Sequence, residues 1–187
     1  MKKKDEKQNE QIWLFLTVIW GGMIWIGCTD PKQTQRDNPY FSLTDTTILQ
    51  LPNKVWKEIL NDGVYTITRE GSTEMPFTNS YHDFKGKGSY HCAACGNLLF
   101  YSVHKYDSGT GWPSFWQPAQ VNHLLFRKDY TGREERIEVL CRRCSGHLGH
   151  LFYDSPPPHQ RYCMNALALK FVADPPNPSS VREEKNE

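Results

Sequence analysis

The sequence predicts a mainly β domain, antiparallel in its pairing and opened by one short helix. Three observations carry that reading. Segments rich in β-branched and aromatic residues recur at 98–101, 124–128, 136–140 and 161–171, with glycine-bearing turns between them. Two C-x-x-C pairs, Cys92/Cys95 and Cys141/Cys144, stand far apart with much of that β material between them. Finally, 187 residues with 13% aromatic content suffice for one core plus tails. The formal charge of +1 comes from balanced acids and bases without a basic stripe, so no nucleic-acid partner is expected. The chain is expected to be a monomer.

The first element is not part of the domain. The stretch 12–27, IWLFLTVIWGGMIWIG, is uncharged throughout, follows Lys2, Lys3, Lys4 and Lys7, and ends at Cys28-Thr29-Asp30. Such a stretch reads as a secretory signal or a short membrane anchor. It falls short of the ~20 residues that a spanning helix needs, which favours the signal. Gly27 before Cys28 is similar to the processing site of bacterial lipoproteins and makes Cys28 a lipidation candidate. Trp25 stands where that pattern usually has leucine, and an uncleaved anchor is the alternative. On this reading residues 1–28 export the protein and hold it to the periplasmic or outer side of a membrane.

Residues 29–51 are polar and read as a flexible tether. The domain is expected over 52–173. In its opening helix Val55, Trp56, Ile59 and Leu60 share one face, Asn53 is a candidate N-cap, and Asn61-Asp62-Gly63 is a candidate stop. Asp129-Tyr130-Thr131-Gly132 forms a hairpin turn that pairs 124–128 with 136–140. Residues 174–187, with Pro175, Pro176 and Pro178, cannot extend a strand and are expected to be a disordered tail.

Each C-x-x-C puts two sulfurs on a tight turn, and two such knuckles make a closed four-sulfur site of the kind zinc takes. Two disulfides are the alternative for an exported chain. Bridges inside C-x-x-C close tiny loops and constrain the unfolded chain little, whereas a zinc ion shared by both knuckles joins distant segments. Zinc is therefore expected on Cys92, Cys95, Cys141 and Cys144, and its role is structural because four thiolates leave no open position.

Cys163, in Arg161-Tyr162-Cys163-Met164-Asn165, is then left without a structural task. In a strand, alternate residues share a face, so Arg161, Cys163 and Asn165 line one side, followed by Leu167, Leu169 and Phe171. The Arg161 guanidinium is expected to favour the thiolate, the nucleophilic form. His147 and His150 follow the second knuckle and can exchange protons near neutral pH. Trp112 and Phe115, in Gly109-Thr110-Gly111-Trp112-Pro113-Ser114-Phe115-Trp116, offer a wall for an apolar substrate group, although core packing accounts for such aromatics equally well.

Taken in order, C-A-x-C-G, G-W-P-S-F, C-x-x-C with H-L-G-H-x-F, and R-Y-C-x-N-x-x-x-L closely resemble the methionine-R-sulfoxide reductases of the B type. The likeness runs from about Val55 to Phe171 and includes 73–78, TEMPFT. It implies two antiparallel sheets, structural zinc on the four knuckle cysteines, and reduction of the R epimer of methionine sulfoxide in oxidised proteins. By motif, Cys163 attacks the sulfur; His147, His150 and Asn165 position or protonate the oxygen; Trp112 walls the methyl group; and Arg161 supports the thiolate. Many relatives carry a resolving cysteine two residues before the tryptophan, where this chain has Thr110. An external thiol or thioredoxin-like reductant is accordingly expected to resolve the sulfenic acid at Cys163. A zinc-stabilised binding module and a peroxide-reducing thiol enzyme are the competing classes, and Cys163→Ser separates the first of them, since a binding module tolerates it.

Overall fold

A computed structural model describes residues 37–132 and 134–175. The N-terminal stretch 1–28 with Cys28, the beginning of the expected tether and most of the expected tail therefore lie outside the described residues. Among the described residues no helix is long and apolar enough to cross a membrane.

Two helices, not one, open the domain. Helix α1, Asn53–Ile59, begins after Pro52 without a side-chain cap; Asn53 Oδ1 instead accepts a hydrogen bond from Arg69 Nε at 3.0 Å. Asn61-Asp62-Gly63 does not stop the helical region but starts helix α2, Asp62–Glu70. Asn61 Oδ1 accepts from Val64 N at 2.8 Å, which satisfies one orphan donor of the first turn. Gly71, at φ 70°, closes α2 in the left-handed conformation that glycine adopts without a Cβ penalty. Trp56, Leu60, Val64 and Ile67 enter the core from this pair.

Among the described residues nine strands follow: β1 Gly88–Cys92, β2 Leu98–Tyr101, β3 Lys105–Tyr106, β4 Ser114–Phe115, β5 Leu124–Asp129, β6 Arg136–Cys141, β7 His147–Phe152, β8 Arg161–Met164 and β9 Leu169–Ala173. They form two antiparallel sheets, of order β2-β1-β9 and β3-β4-β8-β7-β6-β5. The expected β5–β6 hairpin is present, in register from Leu124↔Cys141 to Asp129↔Arg136. Aromatic rings link the sheets: Phe100 of β2 stacks on Phe115 of β4 at 4.3 Å, and Tyr90 of β1 meets Phe115 edge-on.

The alternating run 161–171 is not one strand. It breaks at the turn Ala166–Ala168, so that β8 belongs to the larger sheet and β9 to the smaller. Leu167 is left exposed, and Leu169 and Phe171 serve the other sheet. A period-two pattern cannot register such a change of sheet, because a short turn that keeps the phase leaves the alternation intact.

The described part of 29–51 also departs from the tether reading. Residues 38–49 lie along both knuckles: Asn38 Nδ2 donates to Ala94 O at 2.8 Å, Ser42 N to Cys95 O at 3.1 Å and Leu49 N to Arg143 O at 2.7 Å. Buried Arg143 gathers this strap, donating to Tyr40 O at 2.8 Å and Thr47 O at 3.2 Å, to Cys95 O, and to the Asp45 carboxylate at 2.6 Å. Polar composition suggested a solvated segment, but several of its polar groups bond to the knuckle backbones or to the Arg143 side chain.

Candidate active site

Directly opposed residues of an antiparallel ladder share a face. The registers Tyr106↔Ser114, Ser114↔Cys163, Cys163↔His150, His150↔Glu138 and Glu138↔Arg127 therefore set one row of polar side chains across all six strands of the larger sheet. The opposite face carries the core, with Phe115, Tyr162 and Leu151 buried. Cys163 sits in the middle of the row and is half-buried. Gly149 allows β7 and β8 to approach here, since a Cβ on it would lie 2.1 Å from Cys163 O.

Burial pushes the Cys163 thiol above its ordinary range, while the Arg161 charge and hydrogen bonds from Thr110, Arg161 and Ser114 pull it back. The expectation that Arg161 wins is corrected on this point: in the resting site burial is the larger effect. Arg161 is committed to Asp154 through Nε at 2.8 Å and Nη2 at 2.5 Å, and it lies over the Phe152 ring at 4.3 Å. The guanidinium therefore reaches the sulfur already neutralised in part.

Both histidines lie on β7, each against a carboxylate of the β5–β6 hairpin. His147 Nδ1 donates to Glu138 Oε1 at 2.7 Å, and its Nε2 is buried with no hydrogen-bond partner among the described residues. His150 Nε2 donates to Asp129 Oδ2 at 2.8 Å, and the two rings stand 5.4 Å apart. Burial lowers the pKa of His150 against the opposing pull of Asp129. A cleft of about 590 Å³ opens beside His147 and Glu138, with Arg69, Phe126 and Arg127 also in its wall.

A third group braces the other side. Asn165 Nδ2 donates to Leu148 O at 3.2 Å, and Asn165 Oδ1 accepts from Glu74 N at 3.1 Å. The Glu74 carboxylate accepts from Ala166 N at 2.6 Å and Leu167 N at 3.0 Å, and Glu74 O accepts from Trp112 Nε1 at 3.1 Å. One residue thus fixes the turn after Cys163 and the indole of the G-W-P-S-F loop together.

At the other end of the sheets the four knuckle sulfurs gather, all within 4.8 Å of one another and all buried. The close pairs run between knuckles, Cys92–Cys144 at 3.8 Å and Cys95–Cys141 at 3.6 Å. A disulfide needs ~2.0 Å, whereas four sulfurs ~2.3 Å from a tetrahedral centre stand ~3.8 Å apart. The donor set fits a possible metal site, with Cys163 the only described cysteine outside it. Residues 60–173 match the SelR domain. The chain belongs to the SelR domain family. It is similar to proteins named peptide methionine sulfoxide reductase MsrB. That of Azotobacter vinelandii is 49% identical over 118 residues, covering 63% of this chain and 89% of the relative. That of Leptospira interrogans is 49% identical over 117 residues, covering 62% and 89%. In Bradyrhizobium diazoefficiens the identity is 46% over 129 residues, covering 68% and 92%.

Within this SelR domain Arg161, Cys163 and His150 share one face of the larger sheet, His147 joins that row through Glu138, and Asn165 and Trp112 are tied together through Glu74. Phe115 is not among them: it is fully buried against Phe100, and the core reading of that aromatic holds. Sequence reasoning missed Glu74, Asp129, Glu138, Ser108 and Ser114. Asp129 and Glu138 carried a signal, because they sit at alternate positions from Arg127 and Arg136 on paired strands and so face the same way. Glu74 lay within the TEMPFT segment of the resemblance but carried no local signal of its role, since its partners Trp112, Asn165, Ala166 and Leu167 are 38 to 93 residues away.

Proposed function

We infer that this protein is a peptide-methionine (R)-S-oxide reductase, and that Cys163 is its nucleophile. The observation that carries the assignment is the place of Cys163 in a member of the SelR family: outside the four-cysteine group, in a polar row, directly across from His150. A sulfoxide sulfur becomes electrophilic when its oxygen accepts a proton or a strong hydrogen bond. His147, His150 and Asn165 supply those contacts in this reading, and Trp112 walls the methyl group.

The Cys163 thiolate attacks the sulfoxide sulfur as the oxygen takes a proton. The oxygen passes to Cys163, methionine leaves, and a sulfenic acid remains. A first external thiol attacks that sulfenic sulfur and expels water, and a second releases the disulfide and returns the Cys163 thiol. A thioredoxin-like protein supplies both thiols in one molecule. Zinc on Cys92, Cys95, Cys141 and Cys144 joins two distant knuckles and takes no part in the chemistry, since the donor set is closed. The segment 12–27 and Cys28 support export and lipid attachment, which intact mass of the protein from a membrane fraction tests.

The deciding experiment follows methionine formation from separate R- and S-sulfoxide peptides, with dithiothreitol, for the wild type and Cys163→Ser. Turnover of the R epimer alone, lost in a folded serine variant, is expected. A folded, metal-loaded wild type that leaves both epimers and the Cys163 mass unchanged would mean a binding module instead.

A further inference from the structure

On the side of Cys163 away from the histidines, three hydroxyl groups form a chain that ends opposite it in the ladder. Ser114 is the direct β4 partner of Cys163 and is fully buried. Its Oγ lies 2.7 Å from Ser108 Oγ and donates to Trp112 O at 3.2 Å. Ser108 Oγ is in turn 2.8 Å from Thr110 Oγ1, and hydrogen bonding by Thr110 and Ser114 holds the Cys163 thiol down against the effect of burial.

We propose that Ser108, Thr110 and Ser114 form a rotating hydroxyl cradle that carries the charge of the Cys163 thiolate, which makes Thr110 and Ser114 catalytic residues and Ser108 a positioning residue. Each hydroxyl has one proton to give and two lone pairs to receive. When the thiol is protonated, Ser114 spends its proton on Trp112 O, and the sulfur needs no donor. When the thiol ionises, the sulfur becomes a pure acceptor. Thr110 and Ser114 then turn their protons to it, and Ser108 donates to one of them in compensation. The bond given up is the long one at 3.2 Å. Ser114 already stands opposite Cys163 in the ladder, so the cradle is in place before the charge forms. Hydrogen bonds to an ionised acceptor are about twice as strong as neutral ones, and that difference offsets the burial of the charge. The proposal rests on Cys163 being the nucleophile.

The test needs no substrate, so it can fail independently of the reductase assignment. In the full-length protein, the rate of iodoacetamide alkylation at Cys163, read by peptide mass, is followed against pH for the wild type, Thr110→Val, Ser114→Ala, Ser108→Ala and Thr110→Ser. The charged or titratable groups around the sulfur are untouched: Arg161 with Asp154 behind it, His150 opposite on β7, and Tyr106 beyond Ser114. The alkylation midpoint is expected to move up by about one pH unit in Thr110→Val and Ser114→Ala, a roughly tenfold slower reaction below the midpoint. Ser108→Ala should move it less, and Thr110→Ser should restore it. Midpoints unchanged in whichever of Thr110→Val and Ser114→Ala keep their circular dichroism would overturn the proposal. If both unfold, Ser108→Ala together with Thr110→Ser decides: a shift in the first with none in the second supports the cradle, and no shift in the first refutes it.

Discussion

His150 faces Cys163 directly across the β7–β8 ladder, and its Nε2 is held by Asp129 at 2.8 Å. With the Nε2 proton committed to a carboxylate, the other ring nitrogen is the one that gains or gives a proton. Asp129 also accepts from Arg136 at 2.7 Å and from Thr131, so the hairpin turn is a clasp on the imidazole. Asp129→Asn keeps the shape but weakens the clasp. A charge-assisted hydrogen bond is worth about 1.5–3 kcal/mol, so kcat is expected to fall by roughly tenfold or more with little change in KM. Equal kcat in the wild type and the variant would remove Asp129 from the mechanism.

The same clasp predicts the direction of acid sensitivity. Asp129 is held well below the ordinary carboxylate range, first by hydrogen bonds from Thr131 and then by those from His150 and Arg136. Its contribution is full above the unfolded carboxylate value of about 4 and is lost as pH falls through the folded value. His150, lowered mainly by burial, takes up a proton more readily in the unfolded chain, so it also costs stability as pH falls below about 6.5. Both contributions have the same sign. Tm should drop between pH 7 and pH 4 through His150 and drop further below pH 4 through Asp129, and only the part below pH 4 should be smaller in Asp129→Asn; a Tm that rises between pH 7 and pH 4 contradicts the argument.

What could be read from the sequence followed element by element from local chemistry. The β5–β6 hairpin was legible because its turn and both strands are contiguous, and the four-cysteine group because C-x-x-C has few other uses. Cys163 was legible by elimination and by resemblance. Strand β7 was not, since His147-Leu148-Gly149-His150 reads as a loop until Gly149 is seen to admit the β8 backbone. Helix α2 was hidden behind Asn61-Asp62-Gly63, residues that stop helices as readily as they start them. The environment of Cys163 was misjudged for a different reason: the sequence shows a neighbouring arginine but not the Asp154 that shares it or the depth of the strand.

Arg143 ties the strap of residues 38–49 to both knuckles, and its removal should be felt at a distance from the row of polar residues. Arg143→Ala leaves Tyr40 O and Thr47 O without their donor, and Asp45 without its ion-pair partner. Loss of a buried, multiply bonded guanidinium is expected to cost about 3 kcal/mol in urea unfolding. Limited proteolysis should then cut before Leu49, while R-epimer turnover by the surviving folded protein stays close to wild type. A variant with unchanged stability and an uncut strap would show that these contacts add nothing.

Metal removal tests a different kind of dependence. Cys92 and Cys144 come from knuckles separated by most of the larger sheet, and one ion would join them. Cys141→Ser, or exhaustive chelation, is expected to remove the metal stoichiometrically, as read by elemental analysis, and to cost more than about 5 kcal/mol of stability. Activity should disappear with the folded fraction rather than through kcat. A stable, fully folded, metal-free protein would refute the structural role.

Thr110 gives the sharpest prediction about turnover. Its hydroxyl is linked through Ser108 to Ser114, the ladder partner of Cys163, so a thiol placed there is expected to reach the sulfenic acid after one round of reduction. In the wild type no described thiol is so placed, because the other four cysteines are gathered at the metal site. One equivalent of R-sulfoxide peptide should therefore leave the wild type with one extra oxygen on Cys163 and no bond between Cys163 and another cysteine. In Thr110→Cys the new thiol should attack the sulfenic sulfur, expel water and form a disulfide with Cys163, detected as a cross-linked peptide pair. Thioredoxin would then support faster steady-state turnover than in the wild type, while the first turnover slows because the Thr110 hydroxyl is gone. A Cys163 disulfide in the oxidised wild type would show instead that another cysteine reaches the site, and peptide mapping would identify it.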